Sequence, residues 1–484
     1  MNVIKRYWPL SDRNVFLLFS IAFLSALAFA IFRKTPLALG IPIGIVGTLL
    51  VLTNYRILYY LLNFTLPFSM QRPLLAGLDM DVPSEPLMLA VTGCFIFSLL
   101  IGTKPDKRFF QHPIILIIGL MYLWAVLVTF VSVDTTKSIK YLLAKIWYMV
   151  PFLLFTGSVI RNVKDIRKIL WLFLLPLLAL VVLAVLKHAM LGFDFHAVQR
   201  SVDPFFKNHV IYASTLALFL PFLVTLYQGQ TAWVKAFIWL AFLILMAGIG
   251  FSYTRASWLS IPLAVFYLVA IRFKITKLSV IVAYIGALGA FVYFTAENTF
   301  MLYAPDFEKT VFNRDNLGKH LEATYKFEDV SGMERVYRWV AAVKMAADRP
   351  VMGSGPSTFY PEYQKYTVSS FQTYVSDNPE HSTTHNYFLL QLAEQGIVGL
   401  FLFMTLVAYI LILPQTLFHR TRNPVLRSAI IGAGLCLFII IFHLTLNELL
   451  EVDKIGSFFF MAIAFLIKLD IWTKEEQKQN LPEA

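Results

Sequence analysis

Charged residues are scarce in this chain. Only 14% of its 484 residues are Asp, Glu, Lys or Arg, whereas 58% are hydrophobic. Soluble domains carry about 25% charged residues, so a water-soluble protein could not cover this much apolar surface. The charges present are unbalanced, with a formal net charge of +12. In a membrane protein such an excess is typical of cytoplasmic loops and gives no reason to expect a nucleic-acid partner.

Cysteine is nearly absent, and cofactor signatures are not evident. Cys94 and Cys436 both lie in apolar runs, which indicates buried thiols and not a disulfide or a metal site. We find no His, Cys and carboxylate cluster with metal-ligand spacing, and no Gly-x-x-x-x-Gly-Lys loop that would bind phosphates. The sequence therefore predicts no metal, no other cofactor and no ATP-driven chemistry.

Long apolar runs are abundant. A helix needs about 20 apolar residues to cross a bilayer, and the runs here predict about 12 to 14 transmembrane helices. The first run, Val15 to Phe32, lacks a convincing signal-peptide cleavage site and is interpreted as a retained helix. The fold class is thus an all-α polytopic membrane protein.

The distribution of Lys and Arg predicts an orientation. Alternate loops are rich in these residues, as at 104–108, 161–168, 272–277 and 420–427, and such loops belong in the cytoplasm. Both termini then lie in the cytoplasm, and the active site faces the periplasm of a bacterial inner membrane. We expect four parts. Residues 1–295 form an N-terminal transmembrane bundle and 296–385 a large periplasmic loop. Residues 386–472 form C-terminal transmembrane helices and 473–484 a cytoplasmic tail.

The predicted loop contains one amphipathic helix, at about 332–348. Ser331 and Glu334 form a capping-box pattern at its start. Apolar residues follow at helical spacing on one face of this helix: Val336, Trp339, Val340 and Val343. The charged residues lie off that face: Arg335, Arg338, Lys344 and Asp348. Such a helix could rest on the membrane or on the bundle.

A histidine marks the end of the polar segment. His385 stands where the segment gives way to a long apolar run, with Thr383 or Thr384 as the expected N-cap of the next helix. The helix dipole disfavours a charged imidazolium there and keeps a neutral base available. The alternative is an interfacial histidine without a task. His381 is a competing candidate in the same Ser/Thr-rich stretch.

Three arginines are candidate anion ligands. Arg255 lies between apolar helices without an acidic residue in its run, so it either binds an anion or extends to lipid headgroups. Arg200 lies in a loop that is predicted to face the periplasm, contrary to the positive-inside trend, and this favours a functional cation. The alternative is that it only forms a salt bridge with Asp203. Arg335 either contributes to the site or belongs to a solvated helix face.

Together these residues suit one chemistry. Arginines bind phosphates through two parallel hydrogen bonds, and a neutral histidine can take a proton from an attacking hydroxyl. Fixed cations can also stabilise a leaving diphosphate without a metal. The pattern predicts glycosyl transfer from a lipid-linked diphosphate.

At these positions the sequence resembles the O-antigen ligase and O-antigen polymerase superfamily, over about residues 195 to 400. Five elements occur in the family's order. The first two are a Ser-x-x-Arg-x-x-Trp-Leu helix start at 252–259 and an Arg-x-x-x-Trp helix at 335–339. They are followed by Pro-x-x-Gly-x-Gly-x-x-x-Phe at 350–359, His-Asn-x-x-Leu at 385–389 and Glu-x-Gly-x-x-Gly at 394–399. One departure is that the family often has Gly-Arg before the Trp, whereas Met333-Glu334 precede Arg335 here.

The resemblance implies a metal-independent, inverting transferase of the membrane-embedded C type, with a glycan on undecaprenyl diphosphate as donor. His385 would activate the acceptor hydroxyl, and Arg255 and Arg200 would hold the diphosphate. Arg335 would position donor or acceptor. Two further residues would support the site: Asn386, and Glu394, for which a structural role is favoured.

The acceptor stays open. A ligase would use lipid A–core, a polymerase would use a second lipid-linked glycan, and an oligosaccharyltransferase would use protein Ser or Thr. A transporter of lipid-linked sugars is the alternative of another class. Transporters often show internal repeats and polar groups at the bilayer midplane, and we recognise no repeat in this sequence.

Overall fold

Helices dominate this computed structural model, which describes residues 12–33, 56–73, 79–100, 102, 105–303, 330–368, 378 and 382–479. Within these residues, nine helices are long and apolar enough to cross a membrane, and three shorter apolar helices accompany them. The predicted all-α polytopic fold is confirmed. One of the apolar runs counted among the 12 to 14 predicted helices, 36–53, lies outside the described residues.

The first half contains helices and one short hairpin. The helices are α1 (Asp12–Arg33), α2 (56–65), α3 (Ser84–Leu100), α4 (Lys107–Phe110), α5 (Pro113–Thr129), α6 (Thr135–Met149), α7 (Thr156–Val159), α8 (Val163–Met190), α9 (Val198–Val202), α10 (His209–Phe219) and α11 (Phe222–Tyr227). Strands β1 (Met70–Pro73) and β2 (Asp79–Val82) pair antiparallel, with Met70 opposite Val82.

The second half carries the site. Its helices are α12 (Ala232–Phe251), α13 (Arg255–Arg272), α14 (Thr276–Thr295), α15 (Val330–Asp348), α16 (Phe359–Glu362), α17 (Tyr387–Arg420), α18 (Pro424–Leu444) and α19 (Asp453–Gln479). Short 3-10 turns occur at Leu66–Phe68, Phe195–Ala197, Ala296–Tyr303, Tyr363–Tyr366 and Leu449–Glu451.

Proline and glycine interrupt three of the helical runs. A π-helical turn, Val150–Phe155, joins α6 to α7 around Pro151, so the two form one span of 25 residues. Pro221 separates α10 from α11, since it has no N–H to continue the first helix. Within α17, Gly396 has a φ of 68° and kinks the helix.

The C-terminal helices form the centre of the bundle. In the apolar 18-residue stretch of α19, 94% is buried inside the protein, whereas only 6% of the corresponding stretch of α14 is buried. The buried charges of α19 are paired, as burial in a membrane protein requires. Asp470 bonds to Arg420 and, at 2.6 Å, to Lys474, while Lys468 lies 3.5 Å from Asp106.

The predicted amphipathic helix is α15. Its apolar face is buried, with Val336 and Val340 packed in the core, whereas Lys344 and Asp348 are exposed. The side chain of Ser331 lies outside the described residues, so its cap is not described. Arg338, which was expected off the apolar face, is only 5% exposed. It is buried because α15 packs against α17 and against the chain before His385, which covers this polar side of the helix as well.

Candidate functional site

His385 lies in the bend just before α17. The N-cap of α17 is Asn386, whose side chain accepts hydrogen bonds from the amides of Phe388 at 3.0 Å and Leu389 at 3.1 Å. The expected N-cap, Thr383 or Thr384, was therefore wrong by two or three residues. The hydroxyl of Thr384 instead donates to the carbonyl of Asn386 at 2.6 Å. Asn386 thus fixes where the helix begins, directly beside the histidine.

The backbone of His385 is strained. Its φ is 52°, in the left-handed region that few residues other than glycine adopt. Such conformations persist only where surrounding contacts enforce them, and they are frequent at active sites. Helix α15 supplies two of these contacts: Arg338 donates to the carbonyl of Thr383 at 3.3 Å, and the indole of Trp339 donates to that of Thr384 at 2.9 Å.

Burial and nearby cations keep the imidazole neutral. Burial lowers the pKa of His385 below its usual value, and the charges of Arg338 and Arg335 lower that pKa further. The carboxylates of Glu448 and Glu334 oppose them. Since the ordinary histidine pKa is about 6.5, His385 is mostly neutral at pH 7 and available as a base.

Two residues beside His385 were not among the sequence candidates. Arg338 is buried and pairs with Glu334 at 3.2 Å. Glu448, between α18 and α19, accepts a hydrogen bond from the amide of Thr383 at 3.2 Å. Its other carboxylate oxygen is buried and has no hydrogen-bond partner among the described residues. Arg338 could have been suspected from its place beside Trp339, but no local pattern marks Glu448, which is distant in sequence.

Glu394 organises a turn. Its carboxylate accepts hydrogen bonds from the amides of Ser357 at 2.8 Å and Phe359 at 2.9 Å. It is buried and holds the start of α16.

The kink at Gly396 is a docking point for the loop after α15. The carbonyls of Ala393 and Glu394 accept hydrogen bonds from the amides of Ser354 at 3.0 Å and Gly355 at 2.9 Å. In return, the amide of Ile397 donates to the carbonyl of Pro350 at 2.9 Å. The glycine motifs around 350–359 and 394–399 therefore lock α15 to α17, which keeps Arg335 and Arg338 at His385.

Arg255 begins α13 and is half-buried. The hydroxyl of the preceding Thr254 donates to the carbonyl of His209 at 3.4 Å. Ser214, in the second turn of α10, forms a hydrogen bond of 3.3 Å with His443. His443 lies in the last turn of α18, shortly before Glu448. The Arg255 turn therefore lies at the same end of the bundle as His385.

Arg200 lies in α9, which leads into α10 at that end of the bundle. Its side chain is exposed, and it makes no ion pair with Asp203 within the described part of the chain. Of the three predicted arginines, the structure brings Arg335 to His385. His381 lies outside the described residues.

Acidic residues offer no metal site in the part of the chain that the structure describes. No group of three or more His, Cys, Asp or Glu side chains there could hold a metal ion. The sequence Asp79-Met80-Asp81 lies on β2, where Asp81 is opposite Gln71 of β1.

Comparison with known proteins agrees with this geometry. Residues 240–404, about a third of the chain, match the family model described as O-antigen ligase. The match runs from α12 into α17 and includes Arg255, Arg335, His385 and Glu394. A search of curated proteins gives no significant match. The chain is therefore a multi-pass membrane protein that is similar to the O-antigen ligase family over residues 240–404, which supports a membrane glycosyltransferase of the ligase and polymerase type.

Proposed function

We propose that this protein transfers a glycan from undecaprenyl diphosphate to an acceptor hydroxyl, with inversion at the anomeric carbon. The observation that carries the proposal is a neutral imidazole, His385, held beside two arginines. His385 takes the proton of the acceptor hydroxyl while its oxygen attacks the anomeric carbon. The bond from that carbon to the diphosphate oxygen breaks, and undecaprenyl diphosphate leaves with the electron pair.

The arginines stabilise the leaving group in this proposal. Arg255 and Arg200 hold the diphosphate, and Arg335 positions it against His385. Guanidinium groups suit this task because they donate two parallel hydrogen bonds to phosphate oxygens and stay charged at any relevant pH. Their positive charge is fixed before the reaction, so it stabilises the charge that develops on the leaving oxygen.

Glu448 stabilises the protonated base. Its carboxylate favours the imidazolium form of His385, which arises when the acceptor proton is taken. The amide of Thr383, two residues before His385, donates a hydrogen bond to Glu448 and fixes the position of its carboxylate. Glu448 would thus act as the orienting carboxylate of a histidine base.

The proposed setting is a bacterial inner membrane. Residues 296–385 form the periplasmic loop between the transmembrane parts 1–295 and 386–472, and both termini, with the tail 473–484, lie in the cytoplasm. His385 would then meet its substrates on the periplasmic side. The excess of Lys and Arg in alternate loops supports this orientation.

We propose O-antigen ligation to lipid A–core as the reaction. The test is reconstitution of the purified protein in liposomes with a radiolabelled glycan on undecaprenyl diphosphate, offered lipid A–core, a second lipid-linked glycan or a Ser/Thr peptide. We expect label on lipid A–core. Label on a longer lipid-linked glycan would make the protein a polymerase, and label on the peptide would make it a protein transferase. Movement of intact donor across the bilayer, without transfer, would indicate a transporter.

The rate of transfer should depend on pH through His385. Because the base must be neutral, the rate should rise with pH and level off above a midpoint below about 6.5. Glu448→Gln should move that midpoint to lower pH, since the lost carboxylate had raised the pKa of His385. Initial rates at saturating donor between pH 4.5 and 8 measure both midpoints.

The matched control for this pH shift is Glu362→Gln. Glu362 belongs to α16 and bonds to Lys365 at 2.7 Å, so removing its charge should leave the midpoint in place. A midpoint that rises in Glu448→Gln, or that moves equally in both variants, would contradict the assigned role of Glu448.

A further inference from the structure

A cleft opens between α5, α6 and α17, just below His385. Its cavity volume is about 60 Å³, and it is partly open. One end is polar and includes Tyr141, Lys145, Gln391 and Gln395, and the walls are apolar side chains such as Ile118, Met121, Met149 and Phe403. The candidate residues for glycosyl transfer do not line this cleft. Its shape and chemistry therefore need an explanation of their own.

Two buried amides line the polar end. Gln391 is 2% exposed and Gln395 is 4% exposed. They stand four residues apart on α17 and so share one face of the helix. Neither side chain makes a hydrogen bond among the residues that the structure describes. Neither amide belongs to the fully buried polar atoms that lack a partner, so both open onto the cleft and are available to hydrogen-bond a ligand there.

The polar end carries no net charge. The ammonium group of Lys145 lies 2.7 Å from a carboxylate oxygen of Glu451, and 5.1 Å from the centre of the Tyr141 ring. Because Glu451 balances the lysine, the site lacks the free positive charge that a diphosphate would require. Amide, phenol and ammonium donors instead suit neutral acceptors such as ester or amide carbonyls.

The two amides are spaced along the cleft, and the lipid that they bind must carry carbonyls. Gln391 and Gln395 lie four and eight residues after Tyr387, the first residue of α17, which corresponds to about 6 and 12 Å along the helix. The polyprenyl chain of the donor has no carbonyl at all.

We infer that this cleft binds the carbonyl end of an acyl chain from an acylated lipid. Gln391, Gln395 and Lys145 donate hydrogen bonds to the ester or amide carbonyls, and the apolar walls take the start of the chain. Binding of this lipid does not depend on the proposed function. Only the further step, that the bound lipid is the acceptor of the glycan, rests on the proposed function. In that case the cleft distinguishes an acylated acceptor from the polyprenyl donor.

Photolabelling of the full-length protein in nanodiscs tests the inference. Two probes are compared at trace concentration: phosphatidylethanolamine with a diazirine on its acyl chain, and undecaprenyl phosphate with a diazirine on its polyprenyl chain. Mass spectrometry gives the ratio of label in cleft peptides, which contain Met121 and Met149, to label in the lipid-facing helix α14. The acyl probe should give the higher ratio. Gln391→Leu combined with Gln395→Leu should lower it about tenfold, as expected for two lost hydrogen bonds.

Controls keep this test decisive. Gln364→Leu changes an exposed glutamine and should leave the ratio unchanged. The double leucine variant removes two amides that make no hydrogen bond to the described residues and should fold as well as the wild type, which thermal unfolding checks. Ala125→Leu narrows the cleft from α5 and should also lower the ratio. Higher labelling by the polyprenyl probe, or an unchanged ratio in the double variant, would overturn the inference. His385→Ala should label normally, so a failure of the transfer proposal remains distinguishable.

Discussion

Replacing His385 should lower the rate of glycan transfer about 100- to 10,000-fold, the usual contribution of a general base. The alanine variant loses the group that takes the acceptor proton, while the arginines beside it stay in place. The rate should be measured in a single turnover with saturating lipid-linked donor, because product release then cannot mask the chemical step. Donor binding should change little, since the histidine contacts the acceptor in the proposed reaction.

Alanine alone does not isolate the base, because the φ of 52° at His385 also strains an alanine. His385→Asn is the better variant, since asparagine tolerates the left-handed conformation and lacks a basic nitrogen. His196→Ala is the matched control: this exposed histidine lies near Arg200, at the same end of the bundle, and should be dispensable. Near-normal transfer by His385→Asn would remove the histidine from the mechanism.

The sequence predicted the fold class well because its signal is spread over whole segments. Each apolar run is long, and each contributes to the prediction independently of the others. The amphipathic helix was also predicted, and α15 begins at Val330, two residues earlier than expected. Such boundaries depend on single capping groups. The same limit explains the N-cap of α17, where Asn386 took the place expected for a threonine.

The site was predictable only in part, because packing determines which polar residues meet. His385 and Arg335 were candidates on local pattern, and the structure brings them together. Glu448 reaches them across a gap of more than 60 residues, since α18 returns to the end of the bundle where α17 begins. Gln391 and Gln395 look like ordinary polar residues in a long helix until their burial is known. A periodic pattern places residues on a helix face, but it does not reveal what covers that face.

Gly396→Ala should strongly destabilise the protein. The φ of 68° at Gly396 is unfavourable for alanine by about 1–2 kcal/mol. A Cβ atom there would also lie 2.1 Å from the carbonyl oxygen of Val351, which is backbone and cannot rotate away. The loop must therefore move, and the hydrogen bonds that Ser354 and Gly355 donate to α17 are lost with it. We expect a clear fall in the thermal unfolding midpoint in detergent and faster proteolysis between α15 and α17.

The matched control is Gly289→Ala in α14. That glycine has helical geometry and no atom within 4 Å of an added Cβ, so alanine should be neutral or stabilising by about 1 kcal/mol. Gly396→Ala should also reduce transfer, because the loop keeps α15, with Arg335 and Arg338, against His385. A Gly396→Ala protein that unfolds at the wild-type temperature would show that the kink is not required for folding. If it then also transferred glycan normally, the docking of this loop could not be what positions the arginines.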